Sequence, residues 1–440
     1  MSAAPRPRLL FLCQTLPYPP DGGVWIRTYN VLRLLARAFD VTALCFERSA
    51  SSGRGTAANL AAGRDALQAL AEVDVFPIPQ RHSRLRFAWD HMRSVARGRA
   101  YTEYLYESRA FRRRLREHLR KTRFDLVHAD SLDMAPYFPD CGDIPIVCVH
   151  HDVESALLDR RAAIERSRPR RAYLRYQAGL TRALERRWCG RVGLNVAVSD
   201  EDRARLNALV PDARVAIVPN GVDIDEFRPG ASEGRGIAYV GGTNWFPNLD
   251  ALEFFADEIW PHLKNLAVGF APRWIGSASD EQRRHYAERH GIELTGYVED
   301  VRPFMAGAAC HIVPLRAGGG TRLKILNSWA MGKPVVSTSV GCEGLAAVDG
   351  DNILIRDSPR DFARAVASVL SDAGLRRHLG ERGRATALQL YDWNVIGRAM
   401  NDTYLAIASN PGAVRTVNAR PAGGGGNVGP PAKMRSRLAS

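Results

Sequence analysis

The residues with the clearest chemical potential are Ala317-Gly318-Gly319-Gly320-Thr321-Arg322-Leu323-Lys324. They follow an apolar run, His311–Pro314, and open a segment with helical spacing over residues 321–331. Consecutive glycines let backbone N–H groups approach an anion closely, and a helix N-terminus carries partial positive charge. Arg322 and Lys324 would add full positive charge in the first turn, which opposes the helix dipole. An anionic ligand offsets that conflict, because a charge-assisted hydrogen bond contributes about 1.5–3 kcal/mol. The pattern therefore predicts a phosphate site at Gly319, Gly320 and Thr321, with Arg322 and Lys324 as its cations.

Other turns carry weaker signals. Gly241-Gly242 follows an apolar strand, and Gly22-Gly23 sits in the turn after Cys13. Neither belongs to a G-x-G-x-x-G fingerprint, so a dinucleotide cofactor is not expected. Asp349, Asp351 and Asn352 alternate in a glycine-containing loop that reads as a turn rather than as a metal site. No metal and no cofactor are expected. His150 and His151 stand at the end of a strand, where the expected cleft lies, with Asp152 behind them. Glu154 begins the next helix, where it complements the dipole or lines a binding site. Trp245 and Trp329 read as core.

These residues need elements to hold them. Residues 8–13 form a continuous apolar run, suited to a strand buried on both faces. A Pro/Gly turn, a helical pattern over 25–39 and a strand at 41–46 follow, which make a βαβ unit. Further strands are expected at 73–78, 125–128, 144–149 and 194–198. Arg-rich helical stretches lie between them, at 81–98, 109–123 and 154–188, the last broken near Ser167–Pro169. A second series starts near Val215 and alternates strand and helix through 236–240, 273–275, 293–295, 311–314, 335–337 and 353–355. The expected fold is α/β, with two facing doubly wound Rossmann-like domains and a cleft where strand ends meet. The expected divisions are residues 1–205, 206–385, a helix at 386–409 crossing back to the first domain, and a disordered Gly/Pro/Arg tail at 410–440.

The chain has 440 residues and a formal charge of +14. That charge is uneven: residues 1–200 hold 33 Lys and Arg against 21 Asp and Glu, whereas 201–410 hold 23 against 26. A basic half suggests an anionic membrane surface or another polyanion as partner; arginines on solvated helices are the plainer alternative. No nucleic-acid motif is present, so no nucleic-acid partner is expected. The seven cysteines are scattered and read as small buried hydrophobes in a reducing compartment. No apolar run approaches the roughly 20 residues of a membrane span, and Leu9–Cys13 is too short for a signal h-region. A cytoplasmic location is expected, with peripheral attachment to the inner leaflet.

In order along the chain, several segments resemble the family-4 retaining glycosyltransferases of the GT-B fold. They are Pro19-Pro20-Asp21-Gly22-Gly23, Val149-His150-His151-Asp152-Val153, Val218-Pro219-Asn220-Gly221-Val222-Asp223, Tyr239-Val240-Gly241-Gly242, Thr295-Gly296-Tyr297-Val298 and Met331-Gly332-Lys333-Pro334. The resemblance runs from about residue 8 to about residue 400, and Gly-Gly-Gly-Thr-Arg-Leu-Lys is similar to bacterial enzymes of polysaccharide or lipid-carrier glycan assembly. It implies transfer of a sugar from a nucleotide-diphosphate sugar to a glycan or lipid-linked acceptor. It further implies the base near Gly296, Tyr297 and Val298, the diphosphate near Gly241, Gly242, Gly319 and Gly320, and His151 facing the sugar.

Two positions depart from that family. Gly319 and Asn327 stand where it usually has glutamates, the second of which holds the ribose hydroxyls. Asn327 offers a neutral donor and acceptor instead. Thr243, Asn244 and Trp245 replace the usual Arg and Lys after the strand, which leaves Arg322 and Lys324 to supply charge from across the site. An inverting transferase or a sugar-nucleotide epimerase on the same fold, and a non-enzymatic basic membrane- or polyanion-binding protein, are the alternatives.

Overall fold

The computed structural model describes residues 5–20, 22–47, 57–80, 83–230, 234–266, 269–318 and 322–413. Within them the chain forms two parallel sheets. The first contains β1 (Arg8–Cys13), β2 (Asp40–Glu47), β3 (Glu72–Pro77), β4 (Leu126–Ala129), β5 (Ile146–Val149), β6 (Leu194–Ala197) and β7 (Val215–Ile217), in the order β3-β2-β1-β4-β5-β6-β7. The second contains β8 (Ile237–Val240), β9 (Arg273–Ile275), β10 (Glu293–Leu294), β11 (Cys310–Val313), β12 (Val335–Ser337) and β13 (Leu354–Ile355), in the order β10-β9-β8-β11-β12-β13.

The continuous apolar character of β1 follows from its place in the sheet. Leu9, Phe11 and Cys13 enter one core while Leu10 and Leu12 enter the core on the opposite face. Successive side chains alternate across a strand, so a central parallel strand needs apolar residues at every position. Strand order reverses between β1 and β4 in the first sheet and between β8 and β11 in the second. Such reversals open a crevice at the carboxyl ends of the strands, where crossover helices diverge. Cys13 and Ala129 end one such pair of strands, Val240 and Val313 the other.

Three differences from the sequence reading have physical causes. Val215–Ile217 pairs with β6 through Asn195↔Val215 to Ala197↔Ile217 and so completes the first sheet. The helix Asp200–Leu209 is then a crossover inside the first domain, and the boundary lies after residue 217 rather than at 205/206. The helix Asp280–His290 lacks an apolar stripe, with Tyr286 as its single buried residue. Its ends are specified instead, by a capping box of Ser279 and Gln282 and by Gly291 in the left-handed region (φ 69°). Trp245, read as core, is 46% exposed, whereas Trp329 is fully buried and donates to the Asn352 carbonyl at 2.9 Å.

The Arg-rich stretch divides into helices Glu154–Ile164 and Arg168–Cys189, with Pro169 in the first turn of the second. The last helix, Trp393–Ser409, packs on the first domain although it follows the second in sequence. Its Trp393, Ile396, Met400, Tyr404 and Ile407 join the core that holds Leu9 and Phe11. Gly397 permits this approach, since a Cβ there would lie 2.5 Å from Leu34. Of the tail expected to be disordered at 410–440, Pro411–Ala413 form a 3-10 turn packed on the last helix, and the residues from 414 onward lie outside the described residues. All seven cysteines are free and buried.

Candidate active site

The first wall of the cleft is built at the carboxyl ends of β1, β4 and β5. Asp130 follows β4, is fully buried, and accepts a hydrogen bond from Thr28 Oγ1 at 2.6 Å. A ring nitrogen of His128 lies 3.4 Å from Asp130 Oδ1, and its other nitrogen lies 3.0 Å from the Tyr404 hydroxyl. His151 Nε2 stands 3.4 Å from Asp130 Oδ2, an ion-pair contact outside hydrogen-bond geometry. Burial alone would raise the Asp130 pKa; the charge of His151 and the hydrogen bond from His128 overcome it and hold the carboxyl well below the usual range. Arg27, also buried, donates to Asn220 Oδ1 at 2.8 Å, to the Val218 carbonyl at 2.9 Å and to the Pro219 carbonyl at 3.1 Å. It thereby fixes the segment that leaves the first domain.

The two neighbouring histidines part company. His150 turns inward, its Nε2 3.0 Å from Asn195 Oδ1, and burial lowers its pKa to about 4. His151 keeps 11% of its side chain exposed beside Asp130. Asp152 comes next, half-buried, with an Oδ1 that has no hydrogen-bond partner among the described residues. Burial, aided by the charge of Asp202, raises its pKa to about 6 against the opposing pull of Arg322, His151 and Arg160. Arg322 belongs to the other domain, so the two walls face each other electrostatically across the cleft.

The second wall begins at the helix Leu323–Ala330, preceded directly by Arg322. Gly319, Gly320 and Thr321 lie outside the described residues. Gly318 has φ 121°, and a Cβ there would meet the Arg322 guanidinium at 3.1 Å. Arg322 is buried, with Nη2 3.5 Å from the Val340 carbonyl. Burial lowers its pKa and the charges of Asp152 and Glu343 resist that change. Lys324 Nζ donates to the Tyr239 hydroxyl at 2.5 Å and to Asn248 Oδ1 at 3.0 Å. Burial, then the charge of Arg322, pushes its pKa well down. A lysine in that condition is stabilised by any anion that reaches it. Asn248 also donates to the Gly242 carbonyl at 2.9 Å, so Lys324 stands at the turn after β8.

Glycines line the carboxyl ends of β8, β9 and β10. A Cβ at Gly241 would meet Asn248 at 2.7 Å, one at Gly242 would meet Asn244 at 2.7 Å and Ser277 at 3.1 Å, and one at Gly276 would meet the Gly242 nitrogen at 2.7 Å. Packing of adjacent turns thus accounts for these glycines, and it leaves a floor made of backbone. Gly276 bridges to Gly296, whose φ is 77°, and Tyr297 beyond it is 69% exposed. Val298 packs beside Ala238 and Ile275. Asn327 is half-buried one turn along the helix from Lys324. In the first domain Gly22 precedes the helix Gly23–Leu35, with open space where a Gly23 Cβ would stand. Glu154 is exposed at its helix start.

The domains also touch beside the cleft. Glu343 accepts from Arg160 at 2.9 Å and pairs with Arg205. Gly344 approaches so closely that a Cβ would stand 2.9 Å from Ser199 Cβ. One cluster of metal-ligand type occurs among the described residues, Glu72, Asp74 and His118. It lies at edge strand β3, where Arg114 already pairs with Asp74 at 2.8 Å.

The sequence reading did not anticipate Asp130, Arg27, Thr28 or Tyr404. The polar His128 and Asp130 on either side of Ala129, after the apolar Leu126-Val127, were a readable signal. Its partners, up to 276 residues away, were not.

Comparison with known proteins places this arrangement. The family described as Glycosyltransferase Family 4 matches residues 21–226, and that described as Glycosyl transferases group 1 matches residues 234–372. The lipopolysaccharide core biosynthesis glycosyltransferase LpsE of Rhizobium meliloti is 33% identical over 123 residues, 27% of this chain and 35% of that protein. D-inositol 3-phosphate glycosyltransferase 2 of Catenulispora acidiphila is 27% identical over 236 residues, 48% of this chain and 55% of that protein. The aligned regions thus span about a third to a half of these curated relatives. Among solved structures, Anabaena HepE in complex with UDP superposes with a TM-score of 0.62 at 15% identity, covering 91% of this chain and 100% of that one. Sucrose-phosphate synthase from Thermosynechococcus elongatus gives 0.67 at 14% identity, covering 91% and 99%. The structural likeness establishes the GT-B fold, and with glycosyltransferase families matched in order in both halves, the chain belongs to the family-4-like glycosyltransferases.

Proposed function

We propose that the protein transfers a sugar from a nucleotide-diphosphate sugar to a glycan or lipid-linked acceptor, with retention and without a metal ion. The observation that carries this reading is the placement of Arg322, with Lys324 in the same helix start, opposite Asp152, where strand order reverses in both sheets. As the sugar leaves through an oxocarbenium-like state, negative charge grows on the departing diphosphate. Preorganised cations aimed at that charge supply the main catalytic stabilisation. Arg322 and Lys324 serve as those cations. Lys324 Nζ lies at Tyr239 and Asn248, within a side-chain rotation of the proposed phosphate position.

The remaining roles follow from the family resemblance. The base lies over the backbone floor at Gly296, Tyr297 and Val298, the ribose hydroxyls reach Asn327, and the diphosphate spans Gly241-Gly242 to Gly319-Gly320-Thr321. His151, steadied by Asp130, faces the sugar. Retention rests on the family resemblance. HepE is described with UDP and glucose and with UDP-glucose, and LpsE is described as acting in lipopolysaccharide core biosynthesis. UDP-glucose is accordingly the first donor to test. A lipid-linked or lipopolysaccharide-type acceptor at the inner leaflet suits the basic first half of the chain. No helix among the described residues is long and apolar enough to cross a membrane, so attachment would be peripheral.

A donor-hydrolysis screen across UDP-, GDP- and ADP-sugars tests the reading. Slow release of one nucleoside diphosphate without added metal, lost in Lys324→Ala, is expected. No hydrolysis and no binding of any nucleotide sugar would contradict the proposal.

A further inference from the structure

The helix Arg84–Arg97 is attached the wrong way round for a soluble protein. Its buried residues are polar, Asp90 and Ser94, and its apolar residues face outward. Leu85 is 84% exposed, Trp89 55%, Met92 57% and Val95 53%. At a rotation of about 100° per residue these four fall on one side, together with Ala88 and Ala96. Arg84 borders that side on one flank; Arg86, Arg93 and Arg97 border it on the other. The helix contains four arginines and one acid, and the acid is the buried Asp90.

Polar bonds hold it in this orientation. Asp90 accepts from Gln80 at 2.7 Å, Arg86 at 2.8 Å and Arg93 at 3.2 Å. Ser94 donates to the Arg99 carbonyl at 2.7 Å and accepts from Gln177 at 2.8 Å. His91 stacks on Tyr101 with centroids 3.9 Å apart and meets the Tyr173 hydroxyl. The outward apolar face is therefore fixed by specific contacts and is not a frayed end. Water is a poor partner for it, whereas a boundary between headgroups and acyl chains suits an apolar stripe bordered by arginines.

We propose that this helix lies in the plane of an anionic lipid surface, with Leu85, Trp89, Met92 and Val95 inserted and the exposed flanking Arg84 and Arg97 on lipid phosphates. Charge selects the occupant. A second copy would bring the same arginine borders against each other, and the tail beyond residue 413 is itself basic, whereas an anionic leaflet complements them. The neighbouring helix Arg168–Cys189 continues the same charge: Tyr176 donates from it to the Val95 carbonyl, and Arg168, Arg170, Arg171 and Arg175 occupy its first half. The same helix pairs with Glu154–Ile164, which leaves the cleft just after Asp152. A leaflet at this face would hold a lipid-linked acceptor near the cleft. The position of the acceptor rests on the transferase reading; the docking itself does not.

The test is vesicle co-sedimentation of the full chain with neutral phosphatidylcholine and with phosphatidylcholine containing phosphatidylglycerol, alongside the variant L85S/W89S/M92S. Far-UV circular dichroism and nucleotide affinity are measured on the same preparations. The wild type is expected to bind the anionic vesicles at least tenfold more tightly than the neutral ones. The triple variant is expected to lose at least tenfold of that binding with its helicity and nucleotide affinity unchanged. Equal binding by wild type and variant overturns the proposal, as does wild type that ignores anionic vesicles. So does a dimer in light scattering that the variant abolishes without any vesicle binding, since the face then belongs to a second copy. Should the variant misfold, Trp89→Ser alone must weaken anionic-vesicle binding at least threefold, or the proposal fails. Absence of nucleotide binding in the wild type would count against the transferase reading and leave the vesicle comparison intact.

Discussion

The two walls of the cleft are built on different principles. The second-domain wall is local: Gly318, Arg322, Lys324 and Asn327 come from one loop and one helix, and the turn they face spans residues 241–248. The first-domain wall is assembled from afar, joining Thr28, Asp130, His151 and Tyr404 from four segments of the chain. Its charged members are buried and bound to one another. Damage to the first wall should therefore appear in folding, and damage to the second in ligand binding.

The largest expected effect is on the first wall. Asp130→Asn removes a buried carboxylate from His128, His151 and Thr28, and should cost about 3–5 kcal/mol of stability in urea unfolding. The sign with pH is fixed by its depressed pKa. The stabilisation from ionised Asp130 is present above the ordinary carboxylate range and fades as pH falls through the lowered folded value. Wild type should lose stability toward low pH more steeply than the variant. If Asp130→Asn leaves both stability and its acid dependence unaltered, the network does not support the wall.

Lys324→Ala should show the converse. Donor turnover falls by roughly two to three orders of magnitude, the scale for removing one preorganised donor at a developing oxyanion, while the melting temperature barely moves. A variant that turns over normally would place the phosphates elsewhere.

A smaller effect is expected at Asp152, where the walls meet. Its carboxyl is raised to about 6, so it is neutral below that pH and anionic above it, facing Arg322. A diphosphate near Arg322 would raise it further, so binding takes up a proton and weakens as pH rises through that value. Nucleoside-diphosphate affinity should fall by about threefold to tenfold between pH 5.5 and 7.5, and Asp152→Asn should flatten the profile. An unchanged slope in the variant would assign the titration to another group. The smallest effect belongs to Glu343→Gln, which removes partly exposed pairs to Arg160 and Arg205. It should cost under about 1 kcal/mol in thermal unfolding at low salt and nothing at high salt.

The same contrast explains what was legible in the sequence. Strands β1 and β8 were clear because burial on both faces writes a continuous apolar run. Arg322 and Lys324 stood out in the sequence because glycines and cations lie within eight residues of one another. Asp130 and Arg27 passed unnoticed because their meaning lies in Thr28, Asn220 and Tyr404, whose approach only the folded sheets produce. The strand at Val215 was visible, yet its membership of the first sheet was not, since three apolar residues do not name their partner. Trp245 misled for a related reason: a large apolar side chain has no preference written beside it for core or cleft rim.

A crystal structure of the protein with a nucleoside diphosphate sugar would test the central claim most directly. The account expects Lys324 to leave Tyr239 and Asn248 and, with Arg322, to hold the diphosphate above Gly241-Gly242, with the sugar turned toward His151. A donor bound on the outer face, or in the cleft with Lys324 still on Tyr239 and the phosphates away from Arg322, would contradict it.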